Sequence, residues 1–224
     1  MLFVFEGMDG SGKSTLMRVV ENKLRSLGQE VCHTRRPCYD YTLALTYRGD
    51  ITNAAKFHLL IADAVEQLNR VGEILNPAKV VLCDRWIHSQ FVYQAHPNFN
   101  TLCASKLPSK DLRHIVYTEY GHSFEFIDNL LRLPHTVFYL KTSYDTIRSR
   151  IVSRPDQMTA FDTQIVEDRS FGENLILTYE NFMTKAASNV VTLDAELSTA
   201  DMVDQVVAKI IQLTYKPTLT EENQ

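Results

Sequence analysis

A chain of 224 residues can bury a sizeable core as one domain. With 45% hydrophobic and 22% charged residues, its composition excludes a disordered or fibrous protein. The net charge of -4 argues against broad electrostatic capture of nucleic acid or an anionic membrane, so the expected partners are small molecules.

The first predicted strand, Phe3-Val4-Phe5, breaks into Glu6-Gly7-Met8-Asp9-Gly10-Ser11-Gly12-Lys13-Ser14-Thr15. Gly7, Gly12, Lys13 and Ser14 fit G-x-x-x-x-G-K-S, the P-loop. Glycines let successive backbone N–H groups turn toward a polyphosphate, and a helix starting near Lys13 aims the positive end of its dipole there. Gly7, Met8, Asp9, Gly10, Ser11, Gly12, Lys13, Ser14 and Thr15 are therefore expected to cradle ATP. Lys13 adds a mobile cation for the β and γ phosphates, and the Ser14 hydroxyl suits Mg²⁺. No signal or transit peptide fits ahead of this strand, and no apolar stretch is long enough to span a bilayer, so a cytoplasmic location is expected.

Leu16, Val20, Leu24 and Leu27 mark one face of the first helix, and Gly28 stands where a left-handed cap would end it. Gln29 to Thr34 reads as a second strand. From Asn53 to Leu75, the residues Phe57, Leu60, Ile61, Ala64, Leu68, Val71 and Leu75 recur at helical spacing, and Asn76-Pro77 stops the helix. That apolar stripe suits either the core or an interface. Lys79 to Cys83 is a continuous apolar strand of the kind buried on both faces of a parallel sheet. Thr136 to Leu140 and Asn189 to Leu193 repeat its character. Helices are expected at Ser143 to Ser153, around Gln164 to Ala187, and at Thr199 to Leu213 with Met202, Val203, Val206 and Ile210 on one face. Cys32, Cys38, Cys83 and Cys103 show no C-x-x-C spacing and read as free core thiols.

Five short apolar strands alternating with helices indicate an α/β fold, a doubly wound five-stranded parallel sheet with helices on both faces. Ligands of such sheets gather at the carboxyl ends of the strands. At one such end stands Asp84-Arg85-Trp86-Ile87-His88-Ser89-Gln90-Phe91-Val92-Tyr93-Gln94. In a P-loop protein, an acid there is well placed to orient Mg²⁺, and the adjacent guanidinium can grip phosphate in a bidentate way. On its own, the dipeptide equally suits a surface ion pair. Residues 96–120 are too polar and irregular to place.

Together these residues resemble a thymidylate kinase of the P-loop nucleoside monophosphate kinase group. The family's F-E-G-x-[DE]-G-[SA]-G-K-[ST]-T is matched by Phe5 to Thr15, its T-R-E-P by Thr34-Arg35-Arg36-Pro37, and its D-R-Y-x-x-S-x-x-A-Y-Q by Asp84 to Gln94. The resemblance implies a single P-loop domain over residues 1–214, a short arginine-containing lid at about 150–162, and a flexible tail at 215–224. It further implies that Asp9 contacts the acceptor sugar 3′-hydroxyl and that Arg35 and Arg85 lie near the acceptor monophosphate. By the same resemblance Ser14 and Asp84 hold the metal, and Ser89, Gln90 and Tyr93 read the base and crowd the 2′ position. Loops with glycine at the Gly10 position rely in this family on lid arginines, which align with Arg150 and Arg154. Without the resemblance, Gln90 and Tyr93 are ordinary helix residues, and arginines at a helix end suit a solvated face. The family's tendency to pair through helices makes a homodimer an expectation.

The departures fall on base recognition. Where the family's long helix carries a phenylalanine that stacks on thymine and an arginine four residues later that reaches its O4, this chain has Leu60 and Ala64. Arg36 replaces the glutamate of T-R-E-P, Trp86 the usual tyrosine, and Thr159-Ala160-Phe161-Asp162 the lid's D-R-F-E. Leu60 can cover a base by apolar contact, but Ala64 donates no hydrogen bond. The implied reaction is γ-phosphoryl transfer from ATP·Mg²⁺ to dTMP or a related pyrimidine, dUMP or a 5-substituted dUMP. Two other readings fit the fold: a deoxynucleoside or DNA-base kinase, with Asp84 as general base, and a P-loop ATPase switch with no metabolic acceptor.

Overall fold

The computed structural model describes residues 1–75, 79–94, 132–185 and 189–214. The expectations for residues 76–77 and 96–120, for Cys103 and for the tail lie outside the described residues.

Five parallel strands, β1 (Leu2–Glu6), β2 (Glu30–Arg35), β3 (Lys79–Asp84), β4 (Thr136–Lys141) and β5 (Val190–Asp194), lie in the order β2-β3-β1-β4-β5. Because strand side chains alternate between faces, β1 feeds two cores. Leu2 and Val4 join Val81, Cys83, Val137 and Tyr139 in one layer, and Phe3 and Phe5 join Val80, Leu82, Phe138 and Leu140 in the other. The first layer is covered by α3 (Asn53–Ile74), α4 (Ile87–Gln94) and α7 (Arg169–Lys185), through Phe57, Phe91 and Phe182. The second is covered by α1 (Lys13–Ser26) and α8 (Thr199–Thr214), through Leu16, Val20 and Val206. Helices on both faces of a parallel sheet are the expected doubly wound arrangement, with β1 at its centre between β3 and β4.

Several boundaries differ from expectation, each for a local reason. Leu27 falls past the last turn of α1 and is 51% exposed, because the helical period lapses once Gly28 takes φ 80°. The long helix expected around Gln164 to Ala187 is two helices, α6 (Ala160–Glu167) and α7, divided at Asp168. The Asp168 carboxylate accepts the Phe171 N–H at 3.0 Å, an N-cap that starts a new helix where the apolar period alone would continue the old one. A capping box between Thr159 and Asp162 opens α6. The helix α5 (Tyr144–Val152) ends just before Arg154, and the short α2 (Asp40–Thr46) has no counterpart in the sequence reading. The apolar stripe of α3 goes into the core: Phe57, Ile61, Ala64 and Val71 are all buried.

Candidate active site

The loop after β1 requires its glycines. Gly7, Gly10 and Gly12 have φ of 145°, 83° and 98°, and a Cβ on Gly7 would stand 2.9 Å from Ser11 Oγ and 3.0 Å from the Leu140 carbonyl oxygen. Lys13, the first residue of α1, is buried, and its Nζ donates to the carbonyls of Gly7 and Met8 at 2.9 Å each. Burial lowers its pKa to about 8 and the Arg85 charge adds to that, against the pull of Asp9, Asp84 and Glu6. At the next residue, Ser14 Oγ donates to Asp84 Oδ2 at 3.0 Å, while the buried Asp84 Oδ1 has no hydrogen-bond partner among the described residues. A hydroxyl beside an orphaned carboxylate oxygen is a donor set that fits a hard divalent cation.

Glu6, the last residue of β1, organises the turn after β3. Its fully buried carboxylate accepts the Trp86 N–H at 2.7 Å, the Ser89 N–H at 3.3 Å and the Ser89 hydroxyl at 2.5 Å, so it caps the N-terminus of α4. Burial raises the Glu6 pKa, and Arg85, Ser89 and the Trp86 N–H oppose that rise. This tether holds Arg85 at φ 68°, a conformation a non-glycine residue seldom adopts. Arg85 Nη2 donates to Asp9 Oδ1 at 2.5 Å. Its Nη1 donates to the Gly7 carbonyl at 3.1 Å, Ser89 Oγ at 2.9 Å and the Tyr179 hydroxyl at 3.0 Å. Burial raises the Asp9 pKa, but Arg85 and Lys13 outweigh it and hold the carboxyl below its usual range.

Beside this ion pair opens a cavity of about 280 Å³. Of the residues expected to bind an acceptor, Asp9, Leu60, Arg85, Ser89, Gln90 and Tyr93 all line it. Tyr93 also fixes the loop, since its hydroxyl accepts the Asp9 N–H at 3.3 Å and its ring lies 5.3 Å from the Arg85 guanidinium carbon. Arg35 is not brought there: its guanidinium pairs with Asp40 on the outside and is 56% exposed. The next residue, Arg36, lines the cavity instead. Trp86, Tyr47, Arg48, Lys56, Phe161 and Gln164 complete walls that the sequence reading did not foresee. Tyr47 and Arg48 follow α2, which is too short for its period to show. Both Phe161 and Gln164 lie on α6, Gln164 at the start of the long helix that was expected and Phe161 just ahead of it, in the segment expected as the lid.

The two arginines aligned with the lid separate. Arg150 lies on α5, where Nη1 donates to the Ser11 carbonyl at 3.0 Å and Nη2 to the Ala195 carbonyl at 3.0 Å, so it ties the loop to the end of β5. Arg154 follows α5. Its buried Nε has no hydrogen-bond partner among the described residues, and its charge helps to hold Asp9 ionised.

The chain resembles known proteins over these segments. The thymidylate kinase family matches residues 5–110, which take in the P-loop, Arg36 and the segment from Asp84 to Gln94. A thymidylate kinase of Mesoplasma florum is 24% identical over 95% of both chains, and one of Staphylococcus haemolyticus is 28% identical over 92% of this chain and 95% of its own. The chain is similar to thymidylate kinases over most of its length. Similarity is higher but shorter with a thymidylate kinase of Desulfotalea psychrophila, 36% over 108 residues, where the match spans 52% of that protein's length. Leu60, Trp86, Arg36 and Gln90 share one cavity with Asp9 and Arg85. No helix among the described residues is long and apolar enough to cross a membrane.

Proposed function

We propose that this chain transfers the γ-phosphoryl group of ATP to a pyrimidine deoxynucleoside monophosphate, dTMP or a relative such as dUMP or a 5-substituted dUMP, in the cytoplasm. The observation that carries this reading is the Asp9–Arg85 pair, which belongs at once to the P-loop and to the wall of the cavity. A donor on the loop and an acceptor in the cavity therefore meet at one buried guanidinium. In the transfer, the bond between the γ phosphorus and its bridging oxygen breaks, an acceptor phosphate oxygen forms the new bond, and ADP leaves.

The protein's part is positioning and charge neutralisation. The loop amides and Lys13 hold the donor phosphates. Ser14 and Asp84 would hold Mg²⁺, which would supply positive charge to the phosphates. Arg85 grips the acceptor phosphate and Asp9 the sugar hydroxyl, with Tyr93 and Ser89 fixing both. Arg154, whose charge reaches Asp9, supplies charge to the transferring group, and Arg150 keeps the loop in shape. Arg35 reaches the acceptor only by releasing Asp40, so we assign it a lesser role. The segment at about 150–162 acts as the lid of a single domain over residues 1–214. A homodimer would use the outer side of α3, where Val65 is exposed, because the apolar stripe of that helix is taken up by the core.

ADP release measured with ATP·Mg²⁺ against dTMP, dUMP, 5-hydroxymethyl-dUMP, dCMP, dGMP, dAMP, UMP and thymidine tests the reading. Turnover that depends on a pyrimidine deoxynucleoside monophosphate is the expected result. Turnover of thymidine but no monophosphate would transfer the assignment to a nucleoside kinase, and ATP hydrolysis indifferent to every acceptor would sink it.

A further inference from the structure

The base-facing end of the cavity contains a cation that the family resemblance does not place there. Arg36 follows β2, where its N–H donates to the Asp84 carbonyl at 2.9 Å and so extends the sheet to the ligand-facing edge. Its side chain is only 4% exposed. Nε meets Asp63 Oδ2 at 3.5 Å, Nη2 donates to the Leu60 carbonyl at 2.5 Å and to Gln90 Oε1 at 3.4 Å, and the guanidinium carbon lies 5.8 Å from the Trp86 ring centre. Nη1 has no hydrogen-bond partner among the described residues, although Arg36 lines the cavity. A buried guanidinium needs its donors satisfied, so this one calls for an acceptor in the cavity.

The neighbouring amide has a fixed sense. Gln90 Nε2 donates to the Phe57 carbonyl at 2.8 Å, which leaves Oε1 toward Arg36 and able to accept one more hydrogen bond. Arg36 and Gln90 thus offer the cavity a donor beside an acceptor. A 4-keto pyrimidine presents the complement, an acceptor at O4 next to a donor at N3, whereas cytosine presents a donor at N4 next to an acceptor at N3. Resting on the kinase reading above, we infer that Arg36 is a specificity-determining residue which donates through Nη1 to O4 of a thymine or uracil base while Gln90 Oε1 accepts its N3–H. Arg36 therefore takes over the base contact that Ala64 cannot make, from the loop after β2 instead of from α3. The Asp63 carboxylate, itself held by the Cys38 N–H at 2.8 Å, positions the guanidinium.

The test pairs a deletion in the protein with a deletion in the ligand. Calorimetric titrations of the full chain compare dTMP, dCMP and 4-thio-dTMP, which keeps the N3–H but has a sulfur, a poor hydrogen-bond acceptor, in place of O4. In the unmodified chain, loss of O4 should weaken binding roughly 10- to 100-fold, the range for a hydrogen bond to a charged donor. In the double variant Arg36→Met, Asp63→Asn, which removes the buried charges together, that gap should collapse and the preference for dTMP over dCMP should shrink to what Gln90 alone supplies. Should that variant fail to unfold cooperatively on heating, Arg36→Lys keeps the charge beside Asp63 but withdraws Nη1, and must shrink the same gap. An O4 gap that is absent from the unmodified chain, or that persists in a folded variant, overturns the inference. Failure of the kinase reading is distinguishable, because ADP release by the unmodified chain would then not depend on any monophosphate.

Discussion

Lys13 is held in the resting loop by two carbonyls, in surroundings that lower its pKa to about 8. A bound polyphosphate restores the full charge, so nucleotide binding takes up a proton wherever the free loop has lost one. The sign follows from the depressed value: below pH 7 the ammonium is already charged and uptake vanishes, while at pH 9 it approaches about 0.9 proton per site. Calorimetric titration of ATP in buffers of different ionisation enthalpy reads this number directly, and zero uptake at pH 9 would refute it. Lys13→Ala should abolish turnover. Glu6 supports a prediction of the opposite kind, about stability. Its carboxylate serves Trp86, Ser89 and the N-terminus of α4 from a fully buried position, so Glu6→Ala strands buried donors and should cost about 3 kcal/mol. Urea unfolding measures that loss, and a change under 1 kcal/mol would mean that α4 does not depend on the tether. Nothing in the sequence marks Glu6 as a cap, since an acid after an apolar strand reads as the start of a loop.

Among the elements, α5 and the turn after it divide the work of the two arginines. Arg150 spends its guanidinium on the carbonyls of Ser11 and Ala195, whereas Arg154 keeps a buried nitrogen without a partner near Asp9. Arg150→Ala should therefore raise the KM for ATP and lower the melting temperature, by loosening the loop. Arg154→Ala should lower kcat by about 100-fold, on the order of one lost charge contact to the transferring group, with little change in melting temperature. Steady-state kinetics and thermal unfolding of the two variants separate these outcomes, and identical behaviour would show that the division does not exist. The sequence could place both residues near the site but not tell them apart, because spacing along a helix gives the turn and not the partner. The same limit hid Asp168: its side chain caps α7 only because the chain turns there, and an apolar period that runs through position 168 carries no sign of it. Strong, long periods were legible, as in α3, and so were glycines and a lysine set by phosphate chemistry.

At the scale of the whole molecule, the sheet was readable because each strand except the edge strand β2 is a short apolar run closed by a change of residue type. The cavity was not, because its walls combine residues from segments far apart in the chain. Leu60, Ser89 and Tyr93 came from recognised stretches, but Tyr47 and Arg48 follow a helix of seven residues, and Phe161 lies beyond a break that no period announces. That division predicts where a ligand will be felt. The central strands β1, β3 and β4 are paired by backbone ladders and buried on both faces, so they already open only with the global unfolding of the domain. The stretches from 40 to 49 and from 158 to 164 have no ladder and meet across the cavity, so they should open locally. Hydrogen exchange with saturating dTMP should then slow in those two stretches and in α4, by about 100-fold at 100 times the dissociation constant if their opening empties the site, and change little in β1 and β4. Protection confined to the strands, or spread evenly over the chain, would place the acceptor elsewhere than in this cavity.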